Sequence, residues 1–99
     1  MIRGVDITPR AEQDLDEIWL TIAADSIDRA DKFIDALTSR FVALSTSPRM
    51  GRPRGELADG LRSVAFRKYV IFYSYQNRNL LMERVLHGAR DIKRIFEAD

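Results

Sequence analysis

Apolar residues recur at helical spacing in the first half of the chain and at strand spacing in the second. Ala11, Leu15, Ile18 and Ile22 follow at intervals of four, three and four, which place them on one helical stripe. Glu12, Asp16 and Glu17 lie off that stripe. Thr8-Pro9 supplies a capping residue followed by proline at the first helical position, so the pattern predicts a helix over residues 9–24. After the polar break Asp25-Ser26-Ile27-Asp28, a second stripe runs through Ala30, Phe33, Ile34, Leu37, Phe41 and Leu44. It stops at Ser45-Thr46-Ser47-Pro48. So short a link between two amphipathic helices predicts an antiparallel hairpin.

Ahead of the first helix, residues 2–8 partly alternate and read as a short strand. Behind the second, residues 48–60 form a loop marked by Pro48, Gly51-Arg52-Pro53, Gly55 and Gly60. Three strand-like runs follow, 61–66, 69–75 and 80–87, joined by Arg67-Lys68 and by 76–79, both short enough for hairpin turns. In the middle run Tyr69, Ile71, Tyr73 and Tyr75 share one face, and Val70, Phe72 and Ser74 the other. Alternation in the last run puts Leu80, Met82 and Leu86 on one side and Leu81 and Val85 on the other. A final helical segment, 89–97, carries Ile92, Ile95 and Phe96. The predicted fold is α+β with the order β-α-α-β-β-β-α, a helical hairpin packed on a small, mainly antiparallel sheet with a short C-terminal helix. One hairpin covers one sheet face. The other face, apolar in part, is left to the last helix and to a partner segment.

Composition narrows the chemistry. A chain of 99 residues, 45% hydrophobic, suits one domain spanning 1–99 with one core. It has no cysteine and a single histidine, His87, which excludes disulfides, zinc–thiolate sites and nitrogen-rich metal sites; no cofactor is expected. Without an apolar run of about 20 residues, or a signal-peptide core near Met1, the expectation is cytoplasmic with no membrane contact. Net charge is +1, but residues 1–47 hold five Lys/Arg against nine Asp/Glu, and residues 48–99 hold eleven against six. Such asymmetry either steers an anionic partner to the basic half or complements an acidic hairpin with a basic sheet. A net charge of +1 is weak for a dedicated nucleic-acid binder.

Five segments, in order, carry a resemblance: residues 8–19 (Thr-Pro-Arg-Ala-Glu-Gln-Asp-Leu-Asp-Glu-Ile-Trp), Pro48-Arg49-Met50-Gly51-Arg52, Gly60-Leu61-Arg62-Ser63, Val70-Ile71-Phe72-Tyr73, and Arg84-Val85-Leu86-His87-Gly88-Ala89-Arg90-Asp91-Ile92. Together they resemble the ParE branch of the RelE/ParE toxin superfamily, the plasmid-stabilisation proteins. The resemblance implies the toxin of a type II toxin–antitoxin pair. It also implies a ParD-like antitoxin in a hetero-oligomeric complex and DNA gyrase as target, with DNA reached only through gyrase or the antitoxin. A RelE-like member would instead cleave messenger RNA on the ribosome, and a member that had lost toxicity would survive as an antitoxin-binding partner.

On the gyrase reading there are no catalytic residues, and Arg62, Arg84, His87 and Arg90 are the expected target-binding set. Arg84→Ala or Arg90→Ala is then expected to weaken toxicity in a folded domain. On the nuclease reading, His87 serves as acid or base, with Arg62 and Arg84 on phosphate and no metal. The same residues have structural alternatives: His87 bonding beside the Gly88 turn, and Arg62 or Arg90 bridging to Glu83 or Asp91 to tie the last helix to the sheet. Arg49, Arg52 and Arg54 are either a solvated loop or an electrostatic contact, for an acidic antitoxin segment or for gyrase-bound DNA. Trp19, on the edge of the first stripe, Leu20, nearly opposite it, and the strand residues Tyr73 and Tyr75 complete the expected antitoxin-binding set.

Overall fold

The computed structural model describes residues 4–98; the first part of the strand expected over 2–8 lies outside the described residues. Strand β1 (Val5–Ile7) leads into helices α1 (Pro9–Ala23) and α2 (Ile27–Thr46). Strands β2 (Arg52–Pro53), β3 (Arg62–Phe66), β4 (Tyr69–Gln76) and β5 (Asn79–His87) follow, then helix α3 (Ile92–Ala98). The sheet order is β1-β5-β4-β3-β2, antiparallel except for the parallel pair β1·β5. The α+β architecture is the expected one, with β2 added. That strand pairs only Arg52 with Ser63 and Pro53 with Arg62, at the sheet edge where a proline costs no ladder bond.

Local chemistry sets the helix ends. Thr8 Oγ1 accepts from the Ala11 N–H at 3.0 Å and donates to the Glu83 carbonyl at 2.9 Å, so one hydroxyl caps α1 and ties it to β5. Ser26 Oγ caps α2 by accepting from the Arg29 N–H at 3.2 Å. The third helix begins later than the apolar spacing predicts, because residues 87–90 are held as a turn and Asp91 Oδ1 accepts from the Arg94 N–H. Thr8→Ala is expected to cost about 1–2 kcal/mol, the range for a lost N-cap, measured as a lower urea midpoint at unchanged m-value.

Ile18, Phe33, Leu37, Phe41 and Leu44 from the hairpin pack on Ile71, Tyr73, Leu80, Met82 and Val85 of the sheet. On the opposite face, Leu61, Phe72 and Leu86 are covered by Ile92, Ile95 and Phe96 of α3 and by Leu57. The face assignment within β4 holds, but strict alternation in β5 does not. Arg84 pairs with Phe72 while Met82 pairs with Tyr73, which leaves Glu83 as an extra residue. This β-bulge reverses the phase of alternation. Leu80, Met82 and Val85 therefore face the helical hairpin, and Leu86 faces α3. The β4–β5 turn has Asn77 and Arg78 at φ 52° and 64°, as a two-residue I′ turn requires.

Candidate functional site

The basic loop between α2 and β3 is held from beneath. Tyr73 is fully buried in β4; its phenol donates to the Pro48 carbonyl and accepts from the Gly51 N–H, each at 2.8 Å. Opposite Tyr73 on β3, Arg62 donates through Nη1 to the Gly51 carbonyl at 2.7 Å and to the Arg49 carbonyl at 3.3 Å. Gly51 is required by this close approach, since a Cβ there would meet the phenol oxygen and lie 2.8 and 2.9 Å from Cε1 and Cζ of Tyr73. Burial raises the Tyr73 phenol above its ordinary value, opposed by the Gly51 N–H and the Arg62 charge.

Arg54 is also committed internally. It pairs with Glu56 at 2.8 Å, donates to Ser63 Oγ at 3.1 Å and lies over the Phe72 ring at 5.5 Å. The hydrogen bond from Arg54 holds the Glu56 carboxyl below its usual value. Arg49 and Arg52 are exposed and make no side-chain hydrogen bond or ion pair among the described residues, so they carry the outward charge of the loop. Met50, 55% exposed, stands between them.

At the other sheet edge, Arg84 and Asp14 form a buried bidentate pair, Nε to Oδ2 at 2.9 Å and Nη2 to Oδ1 at 3.0 Å. Asp14 Oδ2 also accepts from the Val85 N–H at 2.9 Å. This bridge ties a helix to the sheet, but the helix is α1 rather than the C-terminal one. Arg84, expected at a target surface, is instead a core residue, because the bulged β5 brings it beside the one acid that α1 buries. Arg84→Ala is therefore a lesion of the fold, not a clean probe of toxicity. His87 is exposed at the end of β5; its Nδ1 accepts from the Ala89 N–H at 3.1 Å and its ring meets Tyr69 edge-on at 5.3 Å. His87 and exposed Arg90 line one shallow cleft of about 140 Å³ with Asp14 and Glu17.

On the hairpin, Trp19 is half-buried and donates through Nε1 to Asp31 Oδ1 at 2.8 Å, which staples α1 to α2. Leu20 beside it is 63% exposed, and Tyr75 at the far end of β4 is 41% exposed. Of the residues expected to meet an antitoxin, the surface presents Leu20, Arg49, Arg52, Tyr75 and part of Trp19. Tyr73 is the correction: its side chain is enclosed and clamps the loop, since β4 is central in the sheet and its hairpin face is core.

Asp14 is the residue that sequence reasoning passed over. A signal was there: its spacing from Ala11 and Ile18 puts it on the apolar stripe, where an acid needs a buried partner.

A helical hairpin on a five-stranded sheet, with basic and apolar side chains presented outward, defines a small α+β protein suited to binding macromolecules. Residues 5–92 match the family described as ParE toxin of type II toxin-antitoxin system, parDE, and the chain belongs to that family. It is 28% identical over 90 residues to Toxin ParE1 of Mycobacterium tuberculosis, covering 89% of this chain and 92% of that one. It is 26% identical over 80 residues to Toxin ParE3 of Caulobacter vibrioides, covering 80% of each. Among solved structures, a chain of the chromosomal ParDE TA system from P. aeruginosa shares the fold with a TM-score of 0.72 at 16% identity, over 85% of this chain and 94% of that chain. No helix among the described residues is long and apolar enough to cross a membrane.

Proposed function

We propose that this chain is the toxin of a ParDE-type pair in the cytoplasm, that it inhibits DNA gyrase by binding, and that a ParD-like antitoxin silences it. The observation that carries binding over catalysis is the commitment of Arg62 and Arg84 to internal bonds. RNA cleavage without a metal needs an acid, a base and phosphate-binding cations converging on one point. Here Arg62 holds the loop backbone and Arg84 is buried against Asp14, which leaves His87 and Arg90 alone of that set at an open cleft. The outward cations Arg49, Arg52 and Arg90 provide the electrostatic contact with the target, and the apolar surface around Leu20 and Tyr75 suits a wrapping antitoxin segment.

The test is supercoiling and DNA cleavage by purified gyrase, with and without antitoxin. Inhibition reversed by antitoxin is the expected result. Charge reversal at Arg49 and Arg52 together is expected to weaken inhibition about tenfold or more while leaving the unfolding free energy within about 0.5 kcal/mol per exposed position. Full activity of gyrase beside the folded chain, with ribosome-dependent messenger RNA cleavage that His87→Ala abolishes, would overturn this reading in favour of the nuclease.

A further inference from the structure

Where α2 begins and β3 turns into β4, the surface opens into a hollow of about 450 Å³ lined by none of the residues expected to bind target or antitoxin. Its floor is apolar: Ile22, Phe33 and Tyr69. Its rim is cationic: Arg29 and Lys32 from α2, Arg67 and Lys68 from the hairpin turn. Arg67 sits at φ 57°, and its guanidinium lies 5.2 Å from the Phe33 centroid and 5.1 Å from that of Phe66. The rings hold this charge in place at the mouth, so little rotamer freedom is left to lose on pairing. Lys32 has a partner, Asp28 at 3.0 Å, but both side chains are about three-quarters exposed and the pair is weak.

Two features leave this rim rich in positive charge. Arg29 and Lys32 lie in the first two turns of α2, where the helix dipole presents positive charge that Asp28, the acid of the first turn, offsets in part. Lys68 and Arg67 then crowd two further cations around the same hollow. An anion placed there offsets both at once. Its kind follows from the surroundings. The acidic excess of residues 1–47 repels a long polyanion laid along the hairpin, and the apolar floor offers nothing to a bare phosphate. A short peptide segment, with one bulky apolar side chain flanked by carboxylates, satisfies floor and rim together.

We infer that this hollow is a docking pocket for an acidic–apolar segment of a partner polypeptide. The identity of the partner rests on the antitoxin reading above: the segment is the part of the antitoxin that reaches the α2–turn end of the toxin. The pocket lies apart from the Arg49–Arg52 loop assigned to the target.

The test has two arms. In the first, a fluorescein-labelled pentapeptide with leucine at its centre and glutamates on either side is titrated onto the full chain. Comparison probes carry lysine for glutamate or serine for leucine, and the last is an oligothymidylate. Anisotropy gives affinity, and NMR shifts of Phe33 and Tyr69 give location. The expected result is binding of the acidic–leucine probe alone, with shifts at both rings and weakening as salt rises. Arg29→Glu with Lys68→Glu is expected to weaken it about tenfold or more, and Arg29→Gln with Lys68→Gln by an intermediate factor. Equal binding of all peptides, tighter binding of the oligothymidylate, or no shift at either ring overturns the pocket. In the second arm, antitoxin affinity is measured for wild type and for the same variants. Loss of affinity in both variants, with unchanged thermal midpoints, supports the pocket as part of the antitoxin interface. Antitoxin bound equally by wild type and variants overturns the pocket's role and leaves the antitoxin reading standing. Failure of wild type to bind antitoxin overturns that reading instead.

Discussion

Asp14→Ala is expected to remove about 3–5 kcal/mol of stability, the cost of stripping the partner from a buried charge. The loss has two sources in the structure. The Arg84 guanidinium, with its side chain 8% exposed, would be left without its bidentate carboxylate. The Val85 N–H, which Asp14 Oδ2 accepts at 2.9 Å, would also lose its acceptor. Because a domain of this size is stabilised by only about 5–15 kcal/mol, the variant should be partly unfolded at 37 °C. Urea denaturation checks this, and the double variant Asp14→Leu with Arg84→Met sharpens it. Removing both charges in exchange for apolar groups of similar volume should recover more than half of the loss. A single variant that costs under about 1 kcal/mol would show that water reaches the pair and that the bridge is not what fixes α1 on β5.

Tyr73→Phe should be the next most costly of these substitutions, about 1–3 kcal/mol, because one hydroxyl serves two loop groups. It donates to the Pro48 carbonyl and accepts from the Gly51 N–H, both of which are left without that partner in the variant. The substitution also carries a pH signature. Burial raises the folded-state value of this phenol above 10.0, so the neutral form is the one the fold favours. The associated stability is fully present below the unfolded tyrosine value, about 10. It is lost as pH rises through the higher folded value, since ionising Tyr73 then favours the unfolded chain. Wild type should therefore show a falling alkaline limb in stability from about pH 10 upward that Tyr73→Phe lacks. Superimposable limbs would mean that Tyr73 ionises without cost. Because the clamp sets the backbone of Pro48 and Gly51 on either side of Arg49 and Met50, the same variant should loosen the basic loop, read as faster amide exchange at residues 49–52.

Four expected site residues, Arg54, Arg62, Tyr73 and Arg84, are committed to internal bonds, and for Tyr73 and Arg84 the partners lie far along the chain. Arg84 and Tyr73 both sit in the segments that carry the family resemblance, and from sequence alone that places them at binding surfaces. Each instead satisfies buried polar groups far away in the chain, Asp14 in one case and Pro48 with Gly51 in the other. Arg49, Arg52, Leu20 and Tyr75, with no internal polar partner to satisfy among the described residues, stayed outside.

The helices were legible because capping and apolar spacing act within a few residues. Thr8, Ser26 and the two stripes specify α1 and α2 with no reference to the rest of the chain. The strands and their turns were legible for the same reason, through β-prone runs broken by short polar links. What tertiary structure alone decided was everything that depends on two distant segments meeting. The bulge at Glu83, which puts Val85 on the hairpin face and Leu86 beneath α3, arises only when β5 is paired with β4 and anchored to Thr8 at once. The burial of Asp14 against Arg84, and the hollow between the start of α2 and the β3–β4 turn, likewise exist only after the hairpin docks. Local patterns are set by period and propensity along the chain, whereas register and the pairing of buried charges are set by which surfaces remain unsatisfied when the layers close.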